Sequence, residues 1–460
     1  MVQPPLRGDT VKRWLLALAV LALCAAGEEP EPRRLNVVIV TADTLRGDMV
    51  HGNHEIMTPN LDRLKAEGLE FTRAYTPITT TLPAHASLFT SLYARDHQAY
   101  DNVSALSERV TTLPEILRDH GWRTGAHINM PWLTADVSNL PQGIQTTRYT
   151  HIRKADRTNP WVEEWLGEAA EREEPFFLWV HYVDNHTPYH APHSYEDMYY
   201  EGGEKGSGVR LKEVWDLFPV EHRESDAFLR WVAGVESADY LVGSYKGSVT
   251  WIDAHVGLLM HRLRELGLWE DTLFVFTADH GESLGEHDLW FVHAGLYQTT
   301  THIPMIVRIP GAPAGERVGV VVSLVDLMPT VLSALGLETP EAARGVDLLS
   351  LVGKRGGAAY LEHTGRQLEG VVTPRFKYIE HLRTTRLYKG YPMDAGRTEL
   401  YDLEADPGEL RNLAPEHPEV VERLKAEMQS LKEGDRGFEA LDGQLDEEVL
   451  KALRAMGYMD

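Results

Sequence analysis

A small set of side chains in this 460-residue chain could bind a divalent ion and activate a hydroxyl group. Asp279 and His280 follow one apolar run of the sequence, and Asp43 follows another. Carboxylates and an imidazole can hold a metal ion, which lowers the pKa of a bound hydroxyl and neutralises charge on a transferred group. The hydroxyl of Thr81 could complete this shell. The mixed oxygen and nitrogen ligands favour Zn²⁺ or Mn²⁺, with Ca²⁺ as the alternative. A structural role is the competing interpretation of the Asp-His pair.

Thr81 comes immediately before a short predicted helix. Leu88, Phe89 and Leu92 recur at helical spacing, and Pro83 is acceptable only in a first turn. Thr81 is therefore expected at or just before the helix N-cap, where unpaired backbone N–H groups favour an anion or a forming alkoxide. The alternative is that Thr81 is only an N-cap, a position that threonine fills well.

Four continuous apolar runs predict strands that are buried on both faces of a mostly parallel sheet. These runs are residues 36–42, 176–183, 272–278 and 303–309, and helices are predicted between them at 58–68, 113–121 and 251–267. This alternation predicts a doubly wound α/β fold, which binds ligands outside the carboxyl ends of its strands. Three runs bring an aspartate to that edge, namely Asp43, Asp184 and Asp279. One such aspartate could be merely solubilising, but three together predict a site.

The character of the chain changes after about residue 350. Residues 376–379 and 399–403 predict short strands of a smaller antiparallel sheet, and residues 418–432 predict an amphipathic helix. The predicted organisation is a catalytic domain at 33–350, a C-terminal α+β subdomain at 351–435 and a helical tail at 436–460.

The N-terminal residues predict export. A basic end, an apolar core and small residues before a polar break make residues 1–26 a predicted secretory signal, with a buried helix as the alternative. Cys24 is the only cysteine, and Leu21-Ala22-Leu23-Cys24 resembles a bacterial lipobox. The protein is therefore expected to be periplasmic or extracellular, either free or anchored to the membrane through a lipid on Cys24. A single cysteine excludes an intrachain disulfide.

The net charge of −24 argues against a nucleic-acid partner, which requires a basic surface. The same charge repels anions at long range. An anionic substrate would therefore need a locally positive site.

A series of motifs runs in a fixed order through residues 35–430. In order they are Thr41-Ala-Asp43-Thr44-Leu45, Thr81-Leu-Pro-Ala-His85, Gly121-Trp-Arg-Thr124, Asp184-Asn-His186-Thr-Pro-Tyr189, Asp279-His-Gly-Glu282 and Leu400-Tyr-Asp-Leu403 followed by Asp406-Pro-Gly-Glu409. This order resembles that of the sulfatase branch of the alkaline phosphatase superfamily. The resemblance implies an alkaline phosphatase-like fold and metal-dependent hydrolysis of an anionic ester.

The sequence departs from the sulfatase pattern at several positions. Thr81 stands where sulfatases carry the Cys or Ser that becomes formylglycine, so no formylglycine is expected, and His85 replaces an arginine. Thr44 replaces a metal-binding aspartate, and His293 lies near the place of a lysine. Threonine nucleophiles are known in the related nucleotide pyrophosphatase/phosphodiesterases, and the Asp-His pair resembles that of phosphonate monoester hydrolases.

The resemblance implies roles for individual residues. Thr81 is expected to be the nucleophile, with the metal ion held by Asp43, Thr81, Asp279 and His280. His186 would hold a non-bridging ester oxygen or protonate the leaving group, and His293 would contact the ester oxygens. Asn129 could donate to developing negative charge. Arg46 is a candidate anion clamp or a surface residue. Asp184, His186 or His190, and His293 could bind substrate or, alternatively, a second metal ion.

The predicted function is hydrolysis of a sulfate, phosphate or phosphonate ester through a covalent intermediate on Thr81. The substrate is expected to be a small-molecule, glycan or lipid ester, with phosphate and phosphonate esters favoured over sulfate. A transferase that moves a phospho-group and a non-catalytic binding protein on the same fold are the alternatives. The sequence does not predict the oligomeric state.

Overall fold

The computed structural model describes residues 34–52, 55–150, 154–189, 191–200, 202, 208–388, 391–434, 438, 440–443, 447 and 450. The predicted signal segment with Cys24, His190 and most of the predicted helical tail lie outside these residues. Among the described residues, no helix combines the length and the apolar character needed to cross a membrane.

An eight-stranded sheet forms the centre of the molecule. Its strands are β1 (Asn36–Ala42), β2 (Leu69–Phe71), β3 (Arg123–Ile128), β4 (Thr146–Tyr149), β5 (Phe176–Tyr182), β6 (Thr272–Ala278), β7 (Met305–Arg308) and β8 (Glu316–Val318). They lie in the order β8-β2-β7-β6-β1-β5-β3-β4. Every residue of β1, β5 and β6 is buried, as the apolar runs predicted. The predicted doubly wound, mostly parallel sheet is therefore confirmed.

The strand predicted at residues 303–309 differs from the prediction. The chain there forms a two-residue strand, His302–Ile303, and then β7, which pairs antiparallel with both β6 and β2. A parallel connection needs a crossover that returns the chain to the other end of the sheet, usually a helix. The segment after β6 contains the ribbon Ser283–Leu284 with Trp290–Val292, a 3₁₀ turn at Glu286–Asp288 and one helical turn at Gln298–Thr301, but no crossover helix. This segment remains at the carboxyl edge, so β7 starts there and runs back.

Helices cover the sheet. The longer ones are α1 (Pro59–Glu67), α2 (Thr81–Thr90), α3 (Leu113–Asp119), α4 (Ala155–Ala170), α5 (Ala238–Glu265), α6 (Leu327–Leu335) and α7 (Pro418–Leu431). Helix α5 starts 13 residues before the predicted 251 because Tyr240, Leu241 and Tyr245 extend its buried face. Its Gly247 permits close packing, since a Cβ there would lie 2.2 Å from the carbonyl oxygen of Tyr195.

A smaller sheet follows the main one, as predicted. It consists of β9 (Ala359–Glu362), β10 (Leu368–Val372), β11 (Phe376–His381) and β12 (Thr398–Asp402), all antiparallel in that order. Helix α7 packs against β9, β10 and β11 through its buried Leu424 and Met428. The domain boundaries proposed from the sequence remain a prediction.

Candidate active site

The carboxyl edge of the central sheet brings Asp43 and Asp279 together. Strands β1 and β6 are neighbours, and Ala42 pairs with Ala278, so the next residue of each strand is an aspartate at the same edge. One ligand atom each of Asp43, Asp279 and His280 lie within 4.8 Å of one another. None of these three side chains is exposed to solvent. The three residues form a preassembled group that could hold a metal ion.

The hydrogen bonds of His280 orient its ring toward both carboxylates. Its Nδ1 lies 3.1 Å from the carbonyl oxygen of Gly281, so Nδ1 carries the proton and Nε2 carries the lone pair. Nε2 lies 3.5 Å from Asp279 Oδ2 and 3.9 Å from Asp43 Oδ1. Burial lowers the pKa of His280 to about 4 and raises the pKa of Asp279. A lone pair that faces buried carboxylates is unfavourable alone, but it fits a divalent cation.

Thr81 lies beside this group at the start of helix α2. Its Oγ1 is 3.5 Å from His280 Nε2. The predicted N-cap position is wrong by one residue, because Thr80 has the extended backbone of an N-cap and Thr81 is already helical. Thr81 therefore occupies the first helical position, where its side chain is not needed as a cap. Pro83 also lies in this first turn. Proline is tolerated in the first turn because backbone N–H groups there have no intrahelical acceptor.

Asn102 belongs to the site, although its sequence gave no signal beyond that of a turn. Its Oδ1 accepts a hydrogen bond from the backbone N–H of Leu82 (2.9 Å) in the first turn of α2. Its Nδ2 is buried and has no hydrogen-bond partner among the described residues. Asn102 thus places an amide donor next to the start of the helix that carries Thr81.

His85 and His181 lie behind the metal-ligand group. Together with Asp279 they form a second set of clustered ligand atoms. Both nitrogens of His85 are engaged, since Nδ1 donates to the carbonyl oxygen of Thr81 (2.8 Å) and Nε2 contacts Thr41 Oγ1 (3.0 Å). His85 therefore forms a hydrogen bond within its own helix, and we regard the group with His280 as the better metal site. His181, whose Nε2 is 3.6 Å from Asp43 Oδ2, was missed because the sequence marked it only as part of β5.

His293 lies next to His280, and His186 lies on the far side of the His293 contact. The ring of His293 is 4.5 Å from that of His280 and 6.1 Å from that of His186. Backbone carbonyls bind Nδ1 in both rings, those of Thr79 for His293 (2.8 Å) and Thr187 for His186 (2.7 Å). Burial lowers the pKa of His293 to about 3, so its ring is neutral at pH 7. The structure brings both histidines to the predicted place, and their roles remain predictions.

Two other predicted site residues, Asn129 and Asp184, form hydrogen bonds with the surrounding structure. The Asn129 amide donates to the carbonyl oxygen of His181 (2.6 Å) and to Thr158 (3.1 Å). Asp184 Oδ1 accepts from the backbone N–H of Ala155 (3.0 Å) and from Trp251 (2.9 Å), so it caps helix α4. Burial raises the pKa of Asp184 to about 7. These hydrogen bonds hold both side chains against neighbouring elements of the fold. The predicted contacts of Asn129 and Asp184 with substrate stay predictions.

Arg46 is not a surface residue, because only 6% of it is exposed. Its guanidinium binds Asp48 through two bonds of 2.9 and 2.7 Å and Glu286 through one of 2.7 Å. Two carboxylates therefore neutralise Arg46, and it is not available as an anion clamp in this conformation. The sequence could not show this competition.

The fold and the site together define an alkaline phosphatase-like hydrolase, in which a helix begins beside metal ligands at the carboxyl edge of a mostly parallel sheet. Residues 35–337 match the profile of the Sulfatase family, and residues 285–434 match the C-terminal profile of N-sulphoglucosamine sulphohydrolase. The chain belongs to the sulfatase family.

Several characterised and uncharacterised proteins are similar to this chain. An uncharacterized sulfatase, YidJ, from Escherichia coli is 27% identical over 442 residues, which cover 83% of each chain. The N-acetylglucosamine-6-O-sulfatase of Bacteroides thetaiotaomicron is 24% identical and covers 95% of this chain and 93% of its own. The crystal structure of a phosphonate monoester hydrolase from Agrobacterium radiobacter superimposes with a TM-score of 0.67 at 23% identity, covering 87% of this chain and 95% of that chain. The chain is a hydrolase that acts on sulfate or phosphate/phosphonate esters. Sulfatase-family enzymes depend on a metal ion, and the structure has a group of residues able to bind one.

Proposed function

We propose that Thr81 is the nucleophile of a metal-dependent ester hydrolase and carries a covalent intermediate. The observation that carries this proposal is the position of Thr81 Oγ1, 3.5 Å from His280 Nε2 in a group that already contains Asp43 and Asp279. Asp43, Asp279, His280 and Thr81 would hold one divalent ion, with Zn²⁺ or Mn²⁺ favoured over Ca²⁺. Bound there, the ion lowers the pKa of the Thr81 hydroxyl and neutralises charge on the ester.

The reaction proceeds in two displacements. Thr81 Oγ gives its proton to solvent and attacks the phosphorus or sulfur atom, and the bond from that atom to the leaving oxygen breaks. The leaving alkoxide takes a proton from the imidazolium form of His186, whose Nε2 is the proposed donor because the carbonyl oxygen of Thr187 binds the Nδ1 proton. Water then attacks the same phosphorus or sulfur atom and releases Thr81. Threonine has no second hydroxyl on Cβ, so the intermediate cannot collapse to an aldehyde as a formylglycine adduct does.

The remaining polar groups of the site would stabilise the oxyanion. Asn102 Nδ2 is a buried donor with no partner among the described residues, beside the first turn of α2, where backbone N–H groups favour an anion. His293 would contact the ester oxygens through Nε2, which must take up a proton to do so because the carbonyl oxygen of Thr79 binds the Nδ1 proton. We favour a phosphate or phosphonate ester over a sulfate ester. The similarity to an N-acetylglucosamine-6-O-sulfatase supports a sugar sulfate as the alternative. Export through residues 1–26, with or without a lipid on Cys24, is part of this proposal.

The test compares wild type, Thr81→Ala and Thr81→Ser with aryl phosphate, aryl phosphonate, aryl phosphodiester and aryl sulfate. We expect Thr81→Ala to lose at least about a thousandfold in kcat, because the nucleophile is absent, and Thr81→Ser to retain measurable turnover. Equal turnover by wild type and Thr81→Ala would remove Thr81 from the mechanism. Turnover that requires an alcohol acceptor would favour the transferase alternative. Binding without any turnover would favour the non-catalytic one.

A further inference from the structure

A polar pocket of about 450 Å³ lies between the segment after helix α2 and the C-terminal region. Its lining residues are Arg95, Asp96, Gln98, Arg366, Lys432 and Gly434. Arg95 and Asp96 belong to a single helical turn, Ala94–His97, and Lys432 follows helix α7 directly. The pocket is therefore assembled from distant parts of the chain. Arg95 and Arg366, for example, are more than 260 residues apart.

The acidic groups around the pocket are already neutralised. Asp96 accepts two hydrogen bonds from the guanidinium of Arg344 (2.9 and 2.7 Å), and Glu369 pairs with Lys432. Glu362 accepts the backbone N–H of Arg95 (3.1 Å), and burial raises the pKa of Glu362 to about 8. Glu362 is therefore mostly protonated at neutral pH.

Two guanidinium groups in the pocket keep an uncompensated charge. Within the part of the chain that the structure describes, no carboxylate lies within 4.0 Å of the guanidinium of Arg95 or Arg366. Arg366 instead donates to the neutral Tyr100 hydroxyl (2.6 Å) and to Gln98 Oε1 (3.1 Å), which fixes its position. In a chain with a net charge of −24, these two arginines form a local positive site.

The pocket lies close to the proposed active site. The loop that begins at Gln98 reaches Asn102, which binds the first turn of α2, and four residues span at most about 14 Å. Thr364 Oγ1 donates to the carbonyl oxygen of Tyr100 (2.7 Å) and so joins the other wall of the pocket to this loop. Burial lowers the pKa of the neighbouring His363 to about 4, and the proximity of His293 contributes to this shift.

We propose that Arg95 and Arg366 form a subsite for a second anionic group on the non-reacting part of the substrate. The inference rests on the proposed function and narrows its substrate class to polyanionic esters, such as sugars that carry more than one sulfate or phosphate. The planar fork of arginine matches sulfate and phosphate oxygens, and each such bond is charge-assisted. Binding energy from a remote group can be used at the reacting centre. The subsite would also offset the repulsion of polyanions by the negative chain.

The test measures binding of a trisulfated heparin disaccharide to the full chain by titration calorimetry at low salt. The test variant is Arg95→Gln/Arg366→Gln. The control is Arg118→Gln/Arg172→Gln, which makes the same change in net charge at two exposed sites before β3 and β5, on the opposite edge of the sheet. We expect the test variant to bind at least about tenfold more weakly and the control to bind like wild type. Melting temperatures equal to that of wild type establish that the variants fold.

Each other outcome overturns the subsite. Equal dissociation constants for wild type and the test variant would show that Arg95 and Arg366 do not bind the probe. An equal loss in the control would show that only net charge matters. No binding by wild type would exclude the polyanionic class. Because binding is also measured with Thr81→Ala, the subsite can stand even if Thr81 proves not to be the nucleophile.

Discussion

Tyr189 donates its hydroxyl to Glu282 Oε2 at 2.9 Å, and this bond joins the two loops that carry His186 and His280. Thr187 Oγ1 donates to the other oxygen of the same carboxylate, also at 2.9 Å. Glu282 is only 1% exposed, so solvent does not compete for these bonds. The carboxyl group of Glu282 thereby fixes the proposed proton donor His186 relative to the candidate metal ligands.

Replacing Glu282 should therefore impair proton transfer more than nucleophilic attack. Glu282→Gln is expected to lower kcat about tenfold for esters with poor leaving groups and much less for activated aryl esters, which leave without protonation. The measurement is kcat across a series of aryl esters of increasing leaving-group pKa. Tyr189→Phe removes one of the two hydrogen bonds to Glu282. It should change the dependence of kcat on leaving-group pKa in the same direction, but by a smaller amount. A uniform decrease across the series would indicate a merely structural role.

Metal addition should raise the melting temperature of wild type but not that of Asp279→Asn. Asp279 Oδ2 is buried and accepts no hydrogen bond from the described residues, so a bound cation relieves an unfavourable arrangement. Metal at a hundredfold excess over its dissociation constant stabilises by about 2.7 kcal/mol, which corresponds to several degrees. Melting curves with Zn²⁺, Mn²⁺ and Ca²⁺ would rank the ions. Asp271→Asn, an exposed change just before the start of the same strand, should respond like wild type. A shift in Asp279→Asn equal to that of wild type would contradict the assignment.

Glu362 should make the protein less stable as the pH rises toward 8. Burial raises the pKa of Glu362 from the ordinary 4.5 to about 8, so the folded state binds more protons than the unfolded state between these values. Its stabilising contribution is complete below pH 4.5 and is lost as the pH rises, by at most about 1.4 kcal/mol for each pH unit. Glu362→Gln keeps an acceptor for the Arg95 N–H and removes this dependence.

Urea unfolding at several pH values from 5 to 8 tests the Glu362 prediction. The free energy of unfolding of Glu362→Gln relative to that of wild type should increase as the pH rises from 5, and the increase should reach about 1 to 3 kcal/mol at pH 8. Parallel curves would show that Glu362 ionises normally.

Lys377 and Glu409 form a buried ion pair. Removing one charge of this pair should reduce the free energy of unfolding more than removing both charges. Lys377 Nζ is 2.8 Å from Glu409 Oε1, and their side chains are 0% and 1% exposed. Glu409→Gln leaves Lys377 charged and buried and should reduce the free energy of unfolding by about 3 kcal/mol. The double change Lys377→Met/Glu409→Gln should recover much of this loss. Urea unfolding of wild type, Glu409→Gln, Lys377→Met and the double variant measures these effects, and additive losses would argue against a charge-pair mechanism.

The elements that hold the site were largely predictable from the sequence. The boundaries of β1 and β6 agree with the apolar runs, and an aspartate follows each strand. Thr81 is at the start of a helix as expected, within one residue. These features depend on neighbours along the chain, because burial on both faces requires continuous apolar residues and a helix start tolerates Pro83. The motif order, too, is a property of the sequence alone, and it predicted the family.

Only the tertiary structure decided which polar groups face the site. Asp43 and Asp279 are adjacent because β1 and β6 are neighbours in the sheet, although 236 residues separate them. Arg46, Asn129 and Asp184 follow strands as the site residues do, yet their hydrogen-bonding groups bind carboxylates, carbonyls or a helix terminus. A buried polar group takes whichever partner the fold brings within reach, and that choice depends on packing between distant segments. The sequence therefore determined the strands and the chemistry available at their ends, and the fold determined which of those side chains come together at the site.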